Sequence, residues 1–223
     1  IDIALLADNS QAASDEITFI RDALTKFVAV MAPDNRIAVI ALADRPTVFV
    51  EYTSDIARLN GGIGRLFSMS QSGMTLLDGI WETARGLEKR EGPRAVILPV
   101  FTDGVEFTNR YSRDVVQALQ RAGAALHAVG IGTFEHAEEH AIRERSFLLD
   151  EGPRKSGGQR ITLLAPNALT ATLQRVAREL SSQYKVVYGR PDSLFGFDEL
   201  EIASARAGVT GRGTPARGET GAR

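Results

Sequence analysis

The chain of 223 residues is 43% hydrophobic and 24% charged, the balance of a folded globular domain rather than a disordered or fibrous one. Its 26 basic and 28 acidic side chains leave a formal charge of −2, which excludes a global basic field for nucleic acid. The absence of cysteine excludes disulfides, thiolate metal sites and thiol nucleophiles, and no apolar run approaches the roughly 20 residues of a membrane helix, so no membrane insertion of this fragment is expected.

The first residues, Ile1-Asp2-Ile3-Ala4-Leu5-Leu6, read at once as a buried strand, with neither initiator Met nor leader pattern, so the sequence reads as a mature or trimmed piece. From there, strand-like runs near 1–7, 36–43, 47–51, 94–101, 124–131 and 160–164 alternate with amphipathic stretches near 14–31, 55–66, 76–90, 112–122, 135–149 and 167–182. The runs at 94–101 and 124–131 are almost continuously apolar, as central parallel strands covered on both faces require. Only Asp44-Arg45-Pro46 separates two of the strands, too little for a crossover helix, so that pair is expected to be an antiparallel hairpin at a sheet edge. The fold class that follows is a three-layer α/β/α Rossmann-like open sheet, mostly parallel with one antiparallel edge strand. Tyr184–Tyr188 and Glu199–Ala205 read as further strands, and residues beyond Ala207 have the Gly/Arg/Thr/Pro composition of a tail.

In an open parallel sheet, ligands sit outside the carboxyl ends of the strands. Three loops fall there: Asp8-Asn9-Ser10-Gln11-Ala12 after the first strand, Ser72-Gly73-Met74-Thr75 before the helix near 76, and Thr102-Asp103-Gly104 after the strand at 94–101. Thr75-Leu76-Leu77-Asp78 also has the form of a capping-box helix start. Two carboxylates and several hydroxyls suit a hard divalent cation, Mg²⁺ or Mn²⁺, because such ions take oxygen ligands and a charge of −2 nearly balances them.

These residues give the chain a clear resemblance to the von Willebrand factor type A domain and its metal-ion-dependent adhesion site. The family's pattern is Asp-x-Ser-x-Ser, a Thr on a second loop and an Asp in a Thr-Asp-Gly loop. Asp8, Ser10, Thr75 and Asp103 match it, while Ala12 replaces the second Ser. The resemblance covers residues 1–182. Leu180–Tyr188 is similar to the corresponding segment of a bacterial VWFA-related subgroup, which implies a C-terminal strand extension over 183–206, while the composition of 207–223 is that of a disordered tail. It implies a non-enzymatic protein-interaction or adhesion module with metal ligands Asp8, Ser10, Thr75 and Asp103 and with Mg²⁺ or Mn²⁺ binding weakened by Ala12. The implied partner is a protein or peptide that presents an acidic residue. The alternative is a metal-independent interaction domain. The bacterial subgroup further implies an exported or cell-envelope parent.

An enzymatic rival is His136-Ala137-Glu138-Glu139-His140, which satisfies the His-x-x-Glu-His pattern of a zinc hydrolase; His136 and His140 would share a helix face, Glu139 would act as base, and Glu179 or Glu199 would be the third ligand. A haloacid-dehalogenase-like phosphoryl transferase is disfavoured because Ser10 stands where a second Asp is needed, and no Walker-type Gly-Lys-Ser/Thr occurs; Gly61-Gly62-Ile63-Gly64 reads as a loop. His127, within an apolar strand, reads as a hydrogen-bonded core or interface histidine. Trp81, Phe27 and Phe19 read as core, and Glu106 as a solvent-exposed acid, the other option being an approach to the metal.

Overall fold

The structure, a computed structural model, describes residues 1–92, 94–133, 140–184, 205–208 and 211–213. The described chain runs β1 (Asp2–Ala7), α1 (Ile17–Met31), β2 (Arg36–Leu42), β3 (Pro46–Thr53), α2 (Ile56–Ile63), α3 (Leu76–Glu88), β4 (Ala95–Thr102), α4 (Ser112–Arg121), β5 (Ala124–Ile131), α5 (His140–Ser156), β6 (Gln159–Leu163) and α6 (Leu169–Ser181). The strands form one sheet of order β3-β2-β1-β4-β5-β6, in which only β3 is antiparallel. This is the expected three-layer α/β/α sheet with its antiparallel edge hairpin. Pro46 opens β3 opposite Leu42, at the start of an edge strand, where its missing N–H costs no ladder bond.

Because β1, β4 and β5 are buried along their whole lengths, each supplies side chains to two cores. Ile3, Leu5, Val39, Leu98 and Val129 meet residues of α1, α2 and α6 on one face. Ala4, Leu6, Ile97, Phe101 and Leu126 meet residues of α3, α4 and α5 on the other. The chain winds outward from β1 through β2 to β3 and, in the opposite direction, from β4 through β5 to β6. The carboxyl ends of the neighbours β1 and β4 therefore border the crevice at the topological switch point.

Three expectations are corrected. Gly61–Ile63 belongs to α2 rather than to a loop, with Gly64 as its C-cap; Asp55 starts that helix by accepting a hydrogen bond from the Arg58 N–H. Phe27 is core, but Phe19 is exposed, and Trp81 is half-buried under the Arg110 guanidinium, 3.8 Å from its ring centre. α5 continues seven residues past the expected end, and its last turn carries Gly152 and Pro153. Nearly all of the strands expected at 184–188 and 199–205, and most of 207–223, lie outside the described residues.

His127 is in the core as expected, fully buried on β5, but neither ring nitrogen has a hydrogen-bond partner among the described residues. It lies where the β4–β5 pairing is interrupted between Ile97/Leu126 and Val100/Val129, and Pro99, which has no N–H to donate, falls in that gap. Burial first, then the charges of Arg94 and Arg212, lower its pKa from 6.5 to about 3, so the ring is neutral. The unfolded chain takes up a proton through pH 6.5 that the folded chain refuses until about 3, so this group removes stability as pH falls through that window. His127→Leu is expected to abolish that component: urea unfolding of the variant should lose less stability on acidification from pH 6.5, the difference growing by at most about 1.4 kcal/mol per pH unit.

Candidate functional site

Asp8 follows the last residue of β1 and is fully buried. Its Oδ1 accepts a hydrogen bond from the Ser10 N–H (2.9 Å), while Oδ2 accepts from the Thr102 N–H (3.0 Å) and the Thr102 hydroxyl (2.6 Å). One carboxylate thus ties the end of β1 to the end of β4 across the switch point. Thr102, which sequence reasoning treated only as part of a motif, is the side chain that fixes it.

Ser10 is also buried, and its Oγ has no hydrogen-bond partner among the described residues. A buried hydroxyl without a partner forfeits about 1–3 kcal/mol relative to a satisfied one. It lies against Gly104: a Cβ on that glycine would stand 3.6 Å from Ser10 Oγ and from Thr102 Oγ1, and 2.6 Å from the Ala12 Cβ. The Asp103 loop therefore rests directly on the Asp8 loop, and the residue that departs from the family pattern, Ala12, lies at that contact. Asp103 is exposed, and its carboxyl group packs over Gly132, whose φ of +121° favours glycine.

Thr75 is the residue before α3, but its hydroxyl does not cap the helix. It donates to the Ala43 carbonyl at 2.8 Å, leaving the oxygen lone pairs available. The cap comes from Glu106, whose Oε1 accepts from the Leu77 N–H at 3.2 Å. Glu106 is therefore buried, not the exposed acid that the sequence suggested, and its Oε2 has no hydrogen-bond partner among the described residues. Met74 and Glu106 form a parallel bridge, through Met74 N to Val105 O (2.8 Å) and Phe107 N to Met74 O (2.7 Å), which zips the Thr75 loop to the Asp103 loop. The Gln11 N–H donates to Ser72 O, so all three loops are laced together by backbone bonds.

Two charged groups on α5 went unnoticed in the sequence. Arg145 is 3% exposed and donates from Nη1 to the Gly104 carbonyl at 2.6 Å. Burial lowers its pKa, while Glu106, Asp103 and Asp8, in that order, support its charge. Glu144 anchors α5 to α4 by accepting from the Ser112 N–H and hydroxyl. On the opposite rim, the Glu16 pKa is raised, by burial first and then by Asp15, Asp103 and Asp8, a sign that the crevice is a region of negative potential. Among the described residues no three His, Cys, Asp or Glu side chains cluster as a metal site. The donor set here is half hydroxyl, and a buried Ser10 Oγ with no partner among the described residues, beside an oriented Asp8, fits an oxygen-liganded cation.

Around the crevice, Phe67, Met69, Val105 and Phe107 are 62%, 46%, 57% and 53% exposed. A cavity of about 680 Å³ opens beside Asp78, Glu106, Phe107, Arg110 and Ala141. The zinc-hydrolase reading finds little support. His136, Glu139 and Glu199 lie outside the described residues, and His140 stacks edge-on against Tyr111. Glu179 binds Gln159 and Arg212 beside the start of β6, at the opposite end of the sheet from His140.

The model of the von Willebrand factor type A domain matches residues 2–146, and the chain belongs to that family. Its fold is similar to that of the conserved hypothetical protein BatB from Bacteroides thetaiotaomicron, at 15% identity and a TM-score of 0.57, over 82% of this chain and 100% of that one. It is also similar to proximal thread matrix protein 1 from the mussel byssus, in a structure with a zinc-occupied MIDAS motif, at 17% identity and a TM-score of 0.60, over 80% of this chain and 45% of that one. A third similar fold is the vWF domain of the type V pili tip protein Mfa5 from Porphyromonas gingivalis, at 12% identity and a TM-score of 0.59, over 84% and 97% of the two chains. No curated protein matches the chain.

Glu106 gives the site a pH signature. Burial first raises its pKa from 4.5 to about 8, so the folded chain keeps a proton that the unfolded chain releases above 4.5. Its contribution to stability is complete below 4.5 and is lost as pH rises toward about 8. Glu106→Gln keeps the acceptor for the Leu77 N–H without the ionisation. Its unfolding free energy, measured in urea, should gain on the parent's as pH rises through that window, by at most about 1.4 kcal/mol per pH unit.

Proposed function

We propose that this domain is a non-enzymatic recognition module that captures an acidic residue of a protein or peptide partner through a divalent cation held by Asp8, Ser10, Thr75 and Asp103. The observation that carries the reading is the buried Ser10 Oγ, without a hydrogen-bond partner among the described residues, beside the hydrogen-bonded Asp8 carboxylate at the β1–β4 crevice. A divalent ion bound there supplies a coordination position for an incoming carboxylate oxygen.

The chain's own residues do the rest. Asp8 is oriented by the Ser10 N–H and by Thr102, so its charge is placed before any ion arrives. Thr75 donates its hydroxyl proton to the Ala43 carbonyl, which leaves its oxygen lone pairs to act as acceptor. Asp103, at the exposed rim, closes the donor set from the second half of the sheet. Phe67, Met69, Val105 and Phe107 supply the exposed apolar area from which a partner gains affinity, and such a patch rimmed by polar groups is typical of a docking face.

Mg²⁺ or Mn²⁺ is the cation we favour, because the donors are all oxygen; the mussel protein whose motif holds zinc indicates that the same fold accepts other divalent ions. Ala12 subtracts one donor, so binding is expected in the millimolar range. A metal-independent interaction surface is the second reading, favoured by Ala12 and by the Arg145 guanidinium already beside the site. An exported or cell-envelope parent is supported by the likeness to a pilus tip protein. Calorimetric titration of Mg²⁺ and Mn²⁺ should give a saturable millimolar response that Asp103→Ala abolishes. A flat titration of the parent protein would leave only the metal-independent module.

A further inference from the structure

We infer that Arg145 is the resident cation of this site: its guanidinium holds the Asp103 loop down on the Asp8 loop and competes electrostatically with a divalent ion. This rests on the metal-site reading above for its second half only.

The geometry is specific. Arg145 projects from α5, an element that contributes none of the four oxygen donors, and its Nη1 reaches the Gly104 carbonyl at 2.6 Å. Gly104 is the residue whose Cα faces Ala12 and Ser10, so the bond acts where the two loops touch. The side chain is almost wholly buried, and a buried guanidinium is tolerated only where anions and acceptors surround it. Here the carboxylates whose field supports its charge include Asp103 and Asp8, two of the proposed metal ligands, while the Gly104 carbonyl is its hydrogen-bond acceptor. A positive charge near these carboxylates repels a second cation, and the repulsion grows the more the guanidinium is withdrawn from water, as the burial of Arg145 withdraws it. The same charge gives the cluster a partner when no metal is bound. The missing hydroxyl at Ala12 and the guanidinium beside Gly104 act in one direction: both make the loop arrangement less dependent on a metal ion.

The test uses the whole chain and three variants: Arg145→Met, which keeps length but removes charge and donors; Arg145→Lys, which keeps the charge; and Asp103→Asn combined with Arg145→Met. In Mn²⁺ calorimetry, Arg145→Met should bind at least about tenfold more tightly than the parent and Arg145→Lys within about twofold of it. In thermal melts with chelator, Arg145→Met should melt below the parent, and adding Asp103→Asn should recover part of the loss because one negative charge is removed from a crevice that no longer holds a cation. Equal Mn²⁺ affinities for the parent and Arg145→Met overturn the competition while the metal site stands. If neither binds Mn²⁺ but the melts behave as stated, the metal-site reading and the competition both fail, and the loop-holding role stands. Unchanged melts overturn the loop-holding role. Should Arg145→Met fold only when Mn²⁺ is added, the inference is supported; if it stays unfolded with Mn²⁺, the inference is overturned.

Discussion

The arrangement depends on the buried Asp8 carboxylate. A charge with no solvent exposure is tolerated only when its oxygens are satisfied, and here three donors from the Ser10 backbone and both polar groups of Thr102 do so. Because Ser10 follows β1 and Thr102 ends β4, satisfying one carboxylate fixes the relative position of the two strands from which the sheet winds outward. Everything else at the crevice is built on that fixed pair: Gly104 against Ala12, Asp103 over Gly132, and the Thr75 loop zipped to the Asp103 loop through Met74 and Glu106.

A second layer of buried polar groups supports the first. Glu106 caps α3 from across the sheet's carboxyl edge, and Arg145 reaches in from α5 to the Gly104 carbonyl. These groups join α3, α5 and the two loops through polar contacts at the edge of the second apolar core, to which Met74, Leu76 and Leu77 belong. The crevice loops are therefore held by directional bonds as well as by packing, and their apolar side chains Phe67, Met69, Val105 and Phe107 remain exposed.

The sheet was legible in the sequence because β1, β4 and β5 are buried on both faces and must be apolar throughout, and because a three-residue link between β2 and β3 permits only a hairpin. Asp8, Ser10 and Asp103 were legible as residues that follow strands, and Thr75 as the residue that precedes a helix. What was not legible depends on contacts distant along the chain. Thr75 has the local form of a helix cap, yet Ala43, 32 residues earlier, takes its hydroxyl. Glu106 has no local signal of burial; a bridge to Met74 turns it inward. Gly61 and Gly62 read as loop by propensity, but tertiary packing of Leu59 and Ile63 keeps that segment helical. Arg145 did leave a trace: it shares helical spacing with Leu148, Leu149 and Gly152, and a charged residue on an apolar stripe signals a buried partner.

The most direct test of an oxygen-liganded cation site at the β1–β4 crevice is paramagnetic broadening of backbone amide resonances by substoichiometric Mn²⁺. The account predicts that the amides of Ser10, Thr75 and Gly104 broaden first, that those of Gly123 and Gly158 at the opposite end of the sheet stay sharp, and that excess Mg²⁺ reverses the effect. Broadening centred on His140, or spread evenly over exposed carboxylates, would contradict it.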